Sequence, residues 1–124
     1  MRKLIIITGI TLIGLASCKK DNAEEMYPAD PGVTCDTTNV TFSGTIQPII
    51  EAKCVNSGCH HTGTPSGIVL TAYSGIAAIA NNGKLISAIT HDGNASFMPE
   101  GQPKLDDCTI AKITKWVNDG APNN

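Results

Sequence analysis

The chain has 124 residues, with 9 Lys and Arg against 11 Asp and Glu, and a formal net charge of −2. A weakly acidic chain of this length without a basic stripe predicts one small domain and makes nucleic acid a poor candidate for its partner. Only five residues are aromatic, so side chains alone would give a thin hydrophobic core.

The first 18 residues have the layout of an export signal. Arg2 and Lys3 precede an apolar run over residues 4–15, which is shorter than the roughly 20 residues that a membrane-spanning helix needs. The run ends in L-A-S-C at residues 15–18, which resembles the lipobox of bacterial lipoproteins. The resemblance implies cleavage before Cys18 and lipidation of that residue, with residues 1–17 removed as a signal peptide. An ordinary signal peptide with a cysteine nearby is the alternative.

Residues 18–34 are predicted to form a flexible tether. The segment is polar and contains Pro28 and Pro31, a composition that cannot bury enough apolar surface to order itself. The folded domain is therefore expected to cover residues 35–124.

Hydrophobic spacing in this domain predicts an all-α fold of three to four short helices joined by glycine-rich loops. The first helix is expected over residues 46–53, with Thr45 at its N-cap and Pro48 in its first turn. Two further helices are expected over residues 73–80 and 84–90.

Between the first two helices, a short extended apolar segment is expected over residues 68–70. The last helix has the clearest pattern, because apolar side chains recur at helical spacing up to Val117. Asp106 or Asp107 is its expected N-cap, and Gly120 is expected to end it.

The segment over residues 54–60 reads C-V-N-S-G-C-H, with two thiols followed by an imidazole. Each thiol can add across a haem vinyl group to form a thioether, and a ring nitrogen of the histidine can then bind the iron. The usual spacing is C-x-x-C-H, and the spacer here is two residues longer. Cys54 and Cys59 are thus candidate attachment sites for one covalent haem c, with His60 as the proximal iron ligand.

Two other interpretations of this segment are open. Cys54 and Cys59 could form a local disulfide. Alternatively, both thiolates could bind zinc together with His60 and His61, since thiolate and imidazole are the usual zinc ligands.

Cys35 and Cys108 are the two cysteines that remain once lipid and haem are assigned. They are an even pair in an exported chain, where disulfides persist, so a Cys35–Cys108 bridge is predicted. Two separate buried thiols are the alternative.

From residue 42 to residue 122 the chain resembles the small c-type cytochrome domains of envelope lipoproteins. The resemblance rests on I-Q-P-I-I at 46–50, on the C…C-H segment, on F-M-P at 97–99 and on the final helix through Trp116. It implies a cytochrome c-like fold around one haem, thioether bonds from Cys54 and Cys59, and His60 as proximal ligand.

The same resemblance implies that Met98 is the distal iron ligand. Met98 lies 38 residues after His60. A methionine ligand raises the reduction potential of the haem. A plain core methionine is the alternative for this residue, and His91 and His61 are the competing iron ligands.

These features together predict a monohaem electron-transfer protein that a lipid anchors to an envelope membrane, on the periplasmic or surface face of a Gram-negative cell. Its expected partners are redox proteins of the envelope, and it is expected to be a monomer. No catalytic constellation is visible, so an enzyme is not predicted. The alternative is a disulfide-stabilised lipoprotein without haem that acts as a binding or structural module.

Overall fold

Four helices make up the regular structure of residues 34–56 and 58–124, the parts of the chain that the computed structural model describes. Helix α1 covers residues 42–55 and is followed by α2 (Tyr73–Asn81), α3 (Lys84–Thr90) and α4 (Asp107–Asn118). No β-strand occurs in these ranges, so the described part is all-α, as predicted. None of its helices is long and apolar enough to span a membrane. The predicted signal peptide, Cys18 and nearly all of the predicted tether lie outside the described residues.

Helix α1 begins and ends in wide turns. Its first and last stretches, Phe42–Ile46 and Glu51–Val55, are π-helical, and Gln47–Ile50 between them is α-helical. At the end of the helix, the Asn56 amide donates to the carbonyl of Glu51, five residues earlier, at 2.8 Å. π-Helical turns usually occur singly within an α-helix and are frequent at functional sites. The second one here carries Cys54.

The predicted start of α1 is wrong by four residues. Thr41, and not Thr45, is the N-cap residue, because its side-chain oxygen accepts a hydrogen bond from the Gly44 amide at 3.1 Å. Pro48 therefore lies in the interior of the helical segment. A proline there has no N–H to donate and crowds the carbonyl four residues earlier, and the π-helical stretch Phe42–Ile46 ends two residues before it.

Tertiary packing explains the earlier start of α1. Phe42 is buried, and its ring lies edge-on to Tyr73 with 5.0 Å between the ring centroids. The same ring lies 5.8 Å from that of Trp116 in α4. Burying an aromatic side chain stabilises a fold by roughly 1.5–3 kcal/mol, which outweighs the local preference that favoured a start at residue 46.

The predictions for the other three helices are confirmed to within one or two residues. Helix α4 has Asp106 at its N-cap, where the carboxylate accepts from the Thr109 amide at 2.8 Å. Hydrogen bonds from Thr109 lower the pKa of Asp106, so the cap is ionised at neutral pH. Residues 68–70 form no regular element.

Helix α4 supplies the centre of the core. Trp116 is fully buried, and its indole N–H donates to the Pro122 carbonyl at 2.9 Å, which satisfies the one polar atom of the ring. The largest fully buried side chains are Trp116, Ile46, Ile50, Ile76 and Ile113.

The predicted disulfide between Cys35 and Cys108 is present. The two Cα atoms are 5.3 Å apart, and the bond closes a loop across a sequence separation of 73. Cys108 lies in the first turn of α4, so the bond ties the start of the described chain to the last helix. In the chain-entropy model, closing a loop of this length stabilises the fold by roughly 4 kcal/mol.

The chain between His60 and Leu70 is a closed loop packed against α2. The Leu70 amide donates to the His60 carbonyl at 2.9 Å, and the Leu70 side chain is buried in the core. Helix α2 passes so near this segment that a Cβ atom on Gly75 would lie 2.0 Å from the carbonyl oxygen of Val69. Only glycine fits at this position.

We predict that Gly75→Ala destabilises the protein by about 1–3 kcal/mol, because the new methyl group forces the backbone of Val69 away from α2. In an open helix the same change would stabilise by about 0.5–1 kcal/mol. Urea unfolding followed by circular dichroism measures the difference. Ser74→Ala, at the exposed neighbouring residue, is the control and should stay within about 0.5 kcal/mol of the natural chain. Equal or greater stability of Gly75→Ala would contradict the close approach.

Candidate functional site

One cavity brings together all four residues that the sequence assigned to haem binding. It has a volume of about 1070 Å³ and is lined by Cys54, Cys59, His60 and Met98, among others. This volume is slightly above the range that is usual for ligand pockets, about 300–1,000 Å³. Six large aliphatic residues also line it: Ile68, Leu70, Ile79, Leu85, Ile89 and Leu105.

The imidazole of His60 is held in one orientation. The ring is 8% exposed, and its Nδ1 atom lies 3.0 Å from the carbonyl oxygen of Ile68. A carbonyl only accepts hydrogen bonds, so Nδ1 carries the proton and donates it. In the neutral ring, Nε2 then has the lone pair and is the nitrogen able to bind a metal.

The two thiols of the site lie in different surroundings. Cys54, at the end of α1, is half-buried, whereas Cys59 is exposed. Burial raises the pKa of the Cys54 thiol to about 11, and the nearby Cys59 adds to the shift. A reactive cysteine nucleophile needs a lowered pKa, so Cys54 does not have the environment of a catalytic thiol.

The backbone of Met98 is held at both of its polar groups. Its amide donates to the Ala88 carbonyl in α3 at 3.0 Å, and its carbonyl oxygen accepts from the His91 ring at 3.0 Å. Met98 is half-buried and lines the cavity. A thioether on this backbone is therefore available to a ligand in the cavity.

Neither of the two competing histidines lines the cavity. His61 is exposed, and its Nδ1 donates to the Thr62 carbonyl at 2.9 Å. His91 is stacked on Phe97, with 4.6 Å between the ring centroids and an angle of 6° between the planes. Of the three described sulfur or imidazole candidates for a distal ligand, Met98 alone contacts the cavity.

The charged residues of the cavity lining are two lysines and one glutamate. Lys53 comes from the last turn of α1, Lys84 is the first residue of α3, and Glu100 follows the Met98 loop. All three are exposed, so their charged groups remain near solvent while the aliphatic residues form the wall. A ligand with a large apolar body and charged groups that reach solvent matches this lining.

A zinc site has little support from the described residues. No group of three or more His, Cys, Asp or Glu side chains among them is arranged to hold a metal ion.

The residues that hold His60 in place were not predicted from the sequence. The acceptor is the backbone carbonyl of Ile68, and the Ser66 hydroxyl lies 3.4 Å from His60 Nδ1. A backbone carbonyl has no sequence signal of its own. Gly75, which permits the close packing of α2, did have one, because a glycine inside a helical pattern costs about 1 kcal/mol relative to alanine and so calls for a packing explanation.

In comparisons with known proteins, no family model, no curated protein and no solved structure matches this chain.

We predict that Cys54 in the reduced protein without haem is alkylated slowly by iodoacetamide at pH 8. With a pKa of about 11, roughly one thiol in a thousand is ionised at that pH, against roughly one in four for an ordinary cysteine. The rate should be at least about a hundredfold below that of an unstructured cysteine peptide and should rise about tenfold per pH unit. Peptide mapping identifies the modified residue. Alkylation as fast as that of the peptide at pH 8 would show that Cys54 is not buried as described.

Proposed function

We propose that this protein is a monohaem c-type cytochrome that transfers electrons. The observation that carries the proposal is the convergence of Cys54, Cys59, His60 and Met98 on one cavity. The first three are neighbours in sequence, but Met98 comes from a loop 38 residues further on. A C…C-H segment that meets a methionine at a cavity is the ligand set of a haem with histidine and methionine on its iron.

The residues present fit a haem in several independent respects. The aliphatic wall matches the apolar face of the porphyrin, and Lys53 and Lys84 supply positive charge for its two carboxylates. The His60 ring presents Nε2 as the unprotonated nitrogen, because Nδ1 donates to Ile68. Metal-binding histidines almost always donate their other ring N–H in this way, which fixes the tautomer and makes the ligand more basic.

Each residue of the site has a defined part in this proposal. Cys54 and Cys59 would hold the haem through thioether bonds, while His60 and Met98 would bind the iron. When bound, the haem supplies a one-electron couple between ferric and ferrous iron. The protein keeps the pocket dry and sets the potential through its two ligands and their hydrogen bonds. We further propose that the all-α fold is cytochrome c-like.

The anchoring of the protein is a separate part of the proposal. It rests on the L-A-S-C segment at residues 15–18 and on the polar tether that follows. A lipid on Cys18 would keep the carrier at an envelope membrane, where redox proteins are its proposed partners. The Cys35–Cys108 disulfide agrees with export, because disulfides persist in oxidising compartments.

We predict that Met98→Ala alters the haem spectrum and chemistry without loss of the haem. The ferric protein should lose the weak near-infrared band of histidine–methionine ligation, and its midpoint potential should fall, because methionine sulfur favours ferrous iron. Carbon monoxide should then bind the ferrous form. Met26→Ala is the matched control, since Met26 is in the predicted tether, and it should leave the spectrum and potential unchanged.

Three results would overturn the assignment in different ways. If His91→Ala causes these changes and Met98→Ala does not, the iron has two histidine ligands. If Met98→Ala changes none of the three measurements, the distal assignment fails. A colourless protein from a host competent in haem maturation would favour the alternative, a disulfide-stabilised lipoprotein that acts as a binding or structural module.

A further inference from the structure

We propose that His91 is a positioning residue for Met98 and that its hydrogen bond to the Met98 backbone keeps the thioether on the iron. The inference rests on the proposed haem function. His91 does not line the cavity and would not touch the haem. Its effect would pass through the Met98 carbonyl oxygen, which lies 3.0 Å from His91 Nε2.

The hydrogen bond also fixes the protonation of the His91 ring. The acceptor is a carbonyl, so Nε2 must carry the proton and donate it. In the neutral ring this leaves the lone pair on Nδ1. His91 Nε2 is therefore a hydrogen-bond donor to the Met98 backbone and is not free to bind iron.

His91 lies where a short side chain can reach back to the Met98 loop. It is the first residue after α3 and has a left-handed backbone conformation, with φ of 58°. Such a conformation is uncommon for residues other than glycine, although histidine is enriched there. The turn is supported from both sides, because the Asp92 carboxylate accepts from the buried Ser87 hydroxyl and, at 2.9 Å, from the Asn94 amide. These bonds lower the pKa of Asp92, the one from Ser87 most.

The stack on Phe97 fixes the plane of the His91 ring. The two rings are nearly parallel at a centroid distance of 4.6 Å. Phe97 itself is 52% exposed, so its side chain contributes little to the core. The exposed phenyl ring instead covers one face of the His91 imidazole, next to Met98.

Methionine needs such support more than most ligands would. Its side chain has three rotatable bonds and adapts to irregular space, so its own rotamers do not place the sulfur. Order must come from the backbone, which α3 holds at the Met98 amide and His91 holds at the carbonyl. If His91 is removed, one of the two restraints is lost and the sulfur spends more time away from the iron.

Imidazole titration of the ferric holoprotein measures this effect directly. Added imidazole binds only when Met98 is off the iron, so its apparent Kd falls in proportion to the weakening of the Met98 bond. His91→Phe keeps an aromatic ring for the stack and removes the donor. The apparent Kd should fall about two- to tenfold, the factor expected for the loss of one hydrogen bond.

His91→Gln is the rescue variant, because its amide nitrogen can occupy the place of Nε2 and donate to the same carbonyl. It shares the backbone constraint at φ 58° with His91→Phe, so the pair differs in the donor and in the ring stacked on Phe97, and rescue by glutamine would show that the donor is what matters. The apparent Kd of His91→Gln should return toward the natural value. If His91→Phe does not fold, His91→Gly suits this conformation, lacks the donor and should show the same fall.

The outcomes separate this inference from the function on which it rests. If Met98→Ala lowers the apparent Kd but neither His91→Phe nor His91→Gly does, the haem assignment stands and the role of His91 is wrong. If His91→Gln and His91→Phe shift the apparent Kd for imidazole equally, the hydrogen bond is not the cause and the inference is also overturned. If Met98→Ala itself leaves the apparent Kd unchanged, Met98 is not the distal ligand and His91 has no ligand to position.

Discussion

The hydrogen bond from the His60 ring to the Ile68 carbonyl is the interaction on which the candidate site depends. It decides which ring nitrogen has the lone pair, and it ties the end of the C…C-H segment to the chain at residues 68–70. The return bond from the Leu70 amide to the His60 carbonyl makes this connection two-sided. Because Leu70 is buried in the core, the orientation of the His60 ring becomes part of the packing of the domain.

The second half of the site is built by the same means. Met98 is in a loop, yet its backbone is bonded to α3 on one side and to His91 on the other. Neither His60 nor Met98 therefore depends on its own side-chain rotamers alone for its place at the cavity.

Local signals account for what the sequence predicted well. Helices α2 to α4 have helical spacing and adjoining glycines or, for α4, the Asp106 cap within their own segments, so their bounds follow from neighbouring residues. The start of α1 was different, because both Thr41 and Thr45 can cap a helix and the choice depends on the burial of Phe42 against Tyr73 and Trp116.

The sequence likewise reveals the main residues of the candidate site but not the contacts that hold them in place. Cys54, Cys59 and His60 were visible as a contiguous motif, and Met98 was found only through the resemblance to c-type cytochromes. The Ile68 carbonyl holds the His60 ring, and the Ala88 carbonyl and the His91 ring hold the Met98 backbone. These contacts depend on how distant parts of the chain fold together, so no spacing rule predicts them.

Intact-mass spectrometry of the protein, produced in a host with haem-maturation machinery, shows whether the chain carries a covalent haem. We expect the mass of the processed chain with its lipid on Cys18, plus the mass of one haem that denaturation does not remove. The paired control is the double variant Cys54→Ser with Cys59→Ser, which should lose the haem mass while it keeps the Cys35–Cys108 disulfide. A natural chain without the haem mass, or a double variant that retains it, would contradict the haem assignment.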